Sequence, residues 1–386
     1  MNIIKKLIIK TYRKVIFYSS IFVLLISCNS KSNDSINKMV SYSVTADTLV
    51  TNQSDNYLLG TPKFLAVDKN GQILVGDDLA LQFLYFDQEG YFLKKIGLRG
   101  RGPGEFLNIS AMVLNSRNEL LVADQFNSRF TIFRKNDDVE TSLYDPSEIL
   151  WPRNILDTGN GYILFYRLDY PVSDNLSDST HGQSGNYLFH FSKDLKSIEY
   201  SFGNINDFEH SESTFYKTWS LFAIGSALTK NNSLLFAPFL YDGKIYKYDL
   251  DKFTHQTFTG LKIHDQPFTS IYGPPIPKHA IQINGRTAAA ATIESESLGL
   301  FELENGNIIH FSFQVSSEER KITFEIFEKN LILQKTGILE GFGAFQLSHN
   351  SSIFDIHATD GKHTFYAIDK RDRSNELVIT FKIDKL

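Results

Sequence analysis

Side chains able to do chemistry are sparse in this 386-residue chain, and their spacing decides what they can do. Cysteine occurs once, as Cys28, so no intramolecular disulfide and no cysteine-rich metal site can form. Ten histidines are present, yet neither His-Glu-x-x-His nor His-x-His spacing sets two imidazoles on one metal. The densest group, Asp355, His357, Asp360 and His363, falls on one strand and its turn, where a strand-surface role competes with a zinc site. No Gly-x-Ser-x-Gly elbow presents a serine nucleophile. Asp77 and Asp124 recur at equivalent places after an apolar run. They could contribute to a Ca²⁺ site, or accept hydrogen bonds from their own loop backbone and fix the turn. Asn127 and Arg129 belong with Asp124 in one local polar network. The glycine cluster from Gly97 to Gly104 invites a phosphate-cradle reading, but no Gly-Lys-Ser/Thr follows, and Pro103 and Glu105 remove a donor and add repulsion. It reads as a turn. Its arginines, Arg99 and Arg101, could give charge-assisted hydrogen bonds to a ligand carboxylate or simply be solvated. No catalytic residue, metal ligand or cofactor site is assigned from these patterns.

Binding chemistry concentrates in two long segments. Lys262 to Ser297 contains Phe268, Tyr272, a Gly-Pro-Pro-Ile-Pro run and Arg286, the aromatic anchors, stiff prolines and guanidinium found at interfaces. The competing reading is that its apolar residues cover an edge of the fold. Asn204 to Ser220 carries Phe215, Tyr216 and Trp219, aromatic faces that could stack on a sugar or a peptide. A third polar segment runs from Asp169 to Asn186.

The elements that must position these residues are strands. Phe and Tyr number 32 and 18 and Met only 3, a bias toward half-buried pleated surfaces. Leu65 to Asp77 lies over Met112 to Asp124 without a gap, and Phe83-Leu84-Tyr85-Phe86 over Phe130-Thr131-Ile132-Phe133. Each unit reads as strand, turn, strand, small residue and Asp, loop, aromatic strand, turn, strand, with Asn70-Gly71 supplying a tight hairpin. Four short strands per unit are the pattern of a propeller blade. Fainter copies of the second strand start at Asn160, Asn231, Asn305 and, more loosely, Ser351-Ser352-Ile353-Phe354. The aromatic strands that follow start at Tyr187, Lys244, Lys321 and Thr364. The expected fold is all-β, a six-bladed propeller of four-stranded antiparallel blades over residues 39–386. Val40 to Val50 would pair with the C-terminal unit and close the ring, unless that unit holds four strands of its own. One short helix or irregular segment is expected between His279 and Ser297, where Ala288 to Ala291 favour helix locally.

Residues 1–27 read as a secretory signal, with Lys5, Lys6, Lys10, Arg13 and Lys14 before an apolar run from Val15 to Ile26. Twelve residues rise only about 18 Å as a helix, short of a roughly 30 Å hydrocarbon core. Leu25-Ile26-Ser27-Cys28 resembles the bacterial lipobox, which implies cleavage before Cys28 and a diacylglycerol on its thiol. Residues 28–38 are polar and form a tether. Asn29 and the scarcity of acids there point to lipid anchoring at the outer membrane, on its periplasmic side. Loss of the five basic leader residues takes the formal charge from −5 to −10, which disfavours nucleic acid as a partner.

The second unit, Leu121-Val122-Ala123-Asp124 through Asn127-Ser128-Arg129 to Phe133, resembles the NHL repeat, and Gly97 to Phe106 looks like the connection before an NHL blade. With the lipobox this is similar to the six-bladed NHL-like or TolB-like propeller lipoproteins of Bacteroidota. The motifs cover residues 64–134 only; Tyr166-Arg167 and Ala237-Pro238 replace the blade aspartates later on. The resemblance implies an envelope propeller without implying one activity. The expectation is a non-enzymatic binding or scaffold module for an envelope protein, peptide or glycan. The alternative is a metal-dependent propeller enzyme of lactonase or lyase type, with carboxylates converging in the channel.

Overall fold

A computed structural model describes residues 39–384 except 52, 136–137, 145–151, 167–185, 205–206, 208–224, 253, 265–267, 271–290, 317–318, 343–344, 347–353 and 373–375. Six antiparallel meanders follow one another. The first is Pro62–Val67, Ile73–Asp77, Gln82–Phe86 and Phe92–Ile96; the second is Ile109–Leu114, Leu120–Asp124, Arg129–Phe133 and Val139–Leu143. Pro152–Asp157, Gly161–Tyr166, Asn186–Ser192 and Ile198–Asn204 make the third, and Gly225–Leu228, Ser233–Ala237, Lys244–Asp249 and Thr254–Thr259 the fourth. The fifth is Ser295–Glu302, Ile308–Ser316, Glu319–Phe327 and Leu333–Glu340. The sixth takes Phe354–Thr359, Thr364–Asp369 and Leu377–Ile383 from the C-terminus and its outer strand, Ser41–Val50, from the N-terminus. The structure is thus the six-bladed propeller expected.

Closure follows the expected route. Val44 to Val50 runs antiparallel to Leu377–Ile383, with Val44 opposite Ile383, while Ser41 to Ser43 pairs in parallel with Ile338 to Glu340 of the fifth blade. One strand therefore stitches the last two blades together and supplies the sixth with its fourth, outer strand. The C-terminal unit contributes three strands of its own. Ser351 to Phe354 was expected to open its second strand, but Phe354 opens the first. The hairpin turn is Asp360-Gly361, with Gly361 at φ 80°, and Thr364–Asp369 is the second strand.

Six apolar clusters pack the described residues, one between each pair of neighbouring blades. Leu74, Phe83, Met112 and Val122 join the first blade to the second, and Val50, Ile73, Leu84, Ile368 and Val378 join the sixth to the first. The second strands of the first, second and fourth blades are buried at every position, whereas the outer strands Val139–Leu143 and Thr254–Thr259 are mostly exposed. This gradient explains the aromatic excess: each blade must fill both of its faces with large side chains.

Connections alternate between two faces. On one, the turns between first and second and between third and fourth strands never exceed five residues, as with Asp68 N–H to Gln72 O at 2.9 Å and Asp87 N–H to Tyr91 O at 3.0 Å. Every longer connection starts and ends at strand termini on the other face. No α-helix occurs among the described residues. The helix or irregular segment expected between His279 and Ser297 gives way at its C-terminal end to strand, Ala291–Ile293 and then Ser295 onward; residues 271–290 lie outside the described residues. The segment Lys262 to Ser297 is accordingly shorter as an insertion than its polarity suggests, because Ser295, Glu296 and Ser297 are buried in the fifth blade's first strand.

Candidate functional site

First strands of neighbouring blades pack around a central channel, with Asn154 Nδ2 donating to Ser226 Oγ at 3.0 Å between the third and fourth. A cavity of about 410 Å³ lies there, touched by the first strands of all six blades. Where it meets the face of long connections, its lining is polar. Five first strands carry a β-bulge, and in four of them the extra residues, Lys63, Ser110, Arg153 and His357, line the cavity. A bulge breaks the strict alternation of a strand and re-aims one side chain. In the fifth blade the equivalent extra residue is Leu298, which is fully buried.

Lys63 Nζ sits 3.2 Å from Asp78 Oδ1, and Lys370 Nζ 3.1 Å from Asp355 Oδ2. Burial lowers the Lys63 pKa from its ordinary value against the pull of Asp78, and the charges of Arg153 and Lys370 push it the same way. Three cations thus share one channel mouth. Burial also drives His357 down to about 4, so the imidazole is neutral at pH 7, and its Nε2 is buried without a hydrogen-bond partner. Outside the cavity lining, near the start of the fifth blade's first strand, Glu296 Oε1 lies 3.2 Å from Arg320 Nη1; burial, with a contribution from Asp355, raises it to about 7.

The residues expected from sequence are placed elsewhere. Arg99 donates from Nη2 to Leu79 O at 3.1 Å; Arg101 is exposed and its carbonyl accepts from Arg129 Nη1 at 2.9 Å; neither lines the cavity. Phe268 opens a three-residue strand paired with Ala291–Ile293, and its side chain is outside the described residues, as are Cys28, Trp219, Tyr272 and Arg286. Asp77 and Asp124 are loop staples. Asp77 accepts from the backbone N–H groups of Gly60, Thr61, Leu79 and Ala80, and Asp124 from those of Leu107, Asn108 and Asn127 and from Asn127 Nδ2. Arg129 clamps the glycine-rich connection through the carbonyls of Arg101, Gly102 and Glu105. His357 lies on the channel strand, whereas Asp360 and His363 sit in the tight turn that follows it. Among the described residues no three His, Cys, Asp or Glu side chains group to hold a metal ion.

One triad was not legible from sequence. Ser297 Oγ lies 2.9 Å from His310 Nε2, and His310 Nδ1 lies 2.7 Å from Glu325 Oε1, on three successive strands of the fifth blade. The order serine, histidine, acid matches a hydrolase triad, but all three are buried. A Cβ on Gly225 would stand 2.3 Å from Ser297 Oγ, and one on Gly260 2.3 Å from Glu325 Oε2. Backbone fills the space an acyl group would need. Glu325 also accepts from Tyr241 O–H and Leu261 N–H of the fourth blade, so the group ties two blades together.

The fold is shared with solved structures. A member of the DUF4221 family from Bacteroides vulgatus aligns at 11% identity over 90% of this chain and 99% of its own, with a TM-score of 0.54. A Bacteroides fragilis protein described as exported aligns at 12% over 90% and 99%, with 0.53. Virginiamycin B lyase of Staphylococcus aureus aligns at 10% over 88% and 99%, with 0.46. At 11–12% identity the likeness to the two Bacteroides proteins is one of fold. No curated protein matches the sequence. A family model described as 6-bladed beta-propeller matches residues 22–331, and the chain belongs to that family, DUF5128.

Proposed function

We propose that this propeller is a non-enzymatic binding module of the bacterial envelope, holding its ligand on the face of long connections. The ligand is an envelope protein, peptide or glycan. The observation that carries this reading is the asymmetry of the two faces. One has only turns of five residues or fewer; the other carries connections that include 167–185, 205–224 and 260–294, and the polar end of the channel. A rigid ring with variable loops gathered on one side is how a scaffold separates stability from recognition. The address comes from the leader and from Cys28, whose diacylglycerol would hold the chain at the outer membrane on the periplasmic side. The similar Bacteroides fragilis protein is described as exported, which agrees with that address. The lactonase or lyase alternative calls for converging carboxylates, and the channel mouth instead pairs each of two carboxylates with a lysine.

The paired strands Phe268–Ser270 and Ala291–Ile293 offer a clean test, because Ser270 and Ala291 are directly opposite each other. Joining them with a two-residue turn removes residues 271–290 without touching the fifth blade. The shortened protein should keep its circular dichroism and melting temperature and lose capture of its partner from native envelope. Capture that survives this change and matching truncations of 167–185 and 208–224 refutes the binding face.

A further inference from the structure

The chain enters the fold beside the fifth blade's outer strand. Ser41 to Ser43 pairs in parallel with Ile338 to Glu340, and Ile338 N–H donates to Val40 O at 2.9 Å. The N-terminal end of this entering strand therefore points toward the end at which Leu333–Glu340 begins, on the face of short turns. That end exposes apolar side chains. Ile332 is 60% and Leu333 36% exposed, and Val40, about 17 Å further along the strand, is 62% exposed. Hydrogen bonds fix the backbone that presents them: Glu328 N–H donates to Ile332 O at 3.0 Å, Leu331 N–H to Glu328 O at 2.8 Å, and Ile332 N–H to Asn330 Oδ1 at 3.3 Å. Tyr91 and Leu93, exposed at the matching turn and outer strand of the first blade, lie on the same face.

Exposure alone does not select this rim, because Leu79 and Phe126 are 63% and 60% exposed in loops of the opposite face. The lipid selects it. Cys28 and Val40 are twelve residues apart, so a diacylglycerol on Cys28 keeps the bilayer within about 43 Å of the point where the chain enters. Tethering raises the effective concentration of that surface, and apolar side chains too few to bind a bilayer from solution can then rest on one. Charge adds nothing, since Lys329, Lys335 and Lys362 stand among Glu304, Glu328 and Glu340. We propose that the fifth blade rests on the phospholipid surface that holds the Cys28 acyl chains, with Ile332 and Leu333 entering the boundary between headgroups and acyl chains. This rests on the lipid-anchor reading and adds an orientation to it: the face of long connections is turned away from the bilayer, open to a ligand.

With the one native thiol carrying lipid, a thiol introduced elsewhere takes a probe at that position alone. The lipidated mature chain, labelled with nitrobenzoxadiazole at Ile332→Cys, is reconstituted in vesicles of phosphatidylethanolamine and phosphatidylglycerol. Its emission should shift to the blue and be quenched by nitroxide-labelled lipid. The same label at Leu79→Cys or Phe126→Cys, positions of matched exposure, should escape that quenching. Leu333→Ser should lower the docked-to-undocked ratio at the Ile332→Cys label about tenfold, the loss of one apolar contact with the bilayer. Vesicles of phosphatidylcholine alone should quench as well, and dependence on anionic lipid would overturn the apolar contact. Vesicle-bound protein whose Ile332→Cys label stays in water overturns the proposal and leaves the anchor standing, as does quenching at Leu79→Cys or Phe126→Cys instead. Quenching unmoved by Leu333→Ser overturns it too. A mature chain whose Cys28 still takes the label carries no lipid, and then the anchor falls together with the orientation.

Discussion

Replacing Glu325 by glutamine separates a blade clamp from a catalytic triad. The carboxylate is buried, with Oε1 accepting from Tyr241 O–H and His310 Nδ1–H, and Oε2 from Leu261 N–H. Tyr241 lies 4.3 Å ring to ring from His310, and burial, then the charge of Glu325, hold its hydroxyl well above the ordinary value, so it stays a donor. An amide offers one acceptor oxygen, so at least one of three donors must face an NH₂. Breaking a buried charged network in this way costs about 3–5 kcal/mol. At roughly 2.1 cal/mol/K per residue, a propeller of this size unfolds with an entropy near 0.7 kcal/mol/K, so the melting temperature should fall by about 4–7 °C. Calorimetry reads the shift, and a fluorophosphonate probe reads the serine. The folded parent should leave Ser297 unlabelled, and Tyr241→Phe with Glu325→Gln should cost less than the two single changes added together. A melting temperature unmoved by Glu325→Gln, together with labelling of Ser297 in the native protein, would refute the clamp.

Asp124→Ala removes the acceptor for three backbone N–H groups and Asn127, and should cost about 3–5 kcal/mol in urea unfolding; Asp77→Ala should cost a similar amount. Glu296, raised to about 7, contributes stability that is present below its unfolded value near 4.5 and lost as pH rises through 7, and Glu296→Gln should abolish that loss. His357, lowered to about 4, works in the opposite sense. Its contribution is complete above 6.5 and lost as pH falls through 4, so His357→Gln should flatten the acid limb in a pH series of denaturant melts. Cys28→Ala should move the protein from the membrane fraction to the soluble one, as fractionation and immunoblotting would show; retention in the membrane would argue against lipidation.

The parts of the fold legible in sequence are those where one residue does one repeated local job. Leu65 to Asp77 overlies Met112 to Asp124 because Asp77 and Asp124 staple the same two loops. The last blade was misread by one strand. It borrows its outer strand from the other end of the chain, so its C-terminal segment carries one strand fewer than the other units. Glu296 and Ser297 look like loop because hydropathy does not register hydrogen bonds; their burial is made possible by Arg320 and His310, distant in sequence. The triad was hidden for the same reason, its members spaced 13 and 15 residues apart on three strands. The channel mouth is not legible in the sequence because a bulge leaves no mark on composition. Pro62-Lys63 and Pro152-Arg153, each opening an inner strand, were nevertheless a visible sign of a repeated basic position.

The strand Ser41–Val50 has a consequence for how the chain comes into being. Its antiparallel partner, Leu377–Ile383, leaves the ribosome more than three hundred residues after it. Until both are present the circle of blades cannot shut, and the cluster around Val50, Ile73, Ile368 and Val378 stays open to water. Contacts this distant along the chain form slowly. The ring is therefore sealed only once Leu377–Ile383 has been made, and a chain cut short anywhere before Leu377 carries an exposed seam that a protease or a second copy can read.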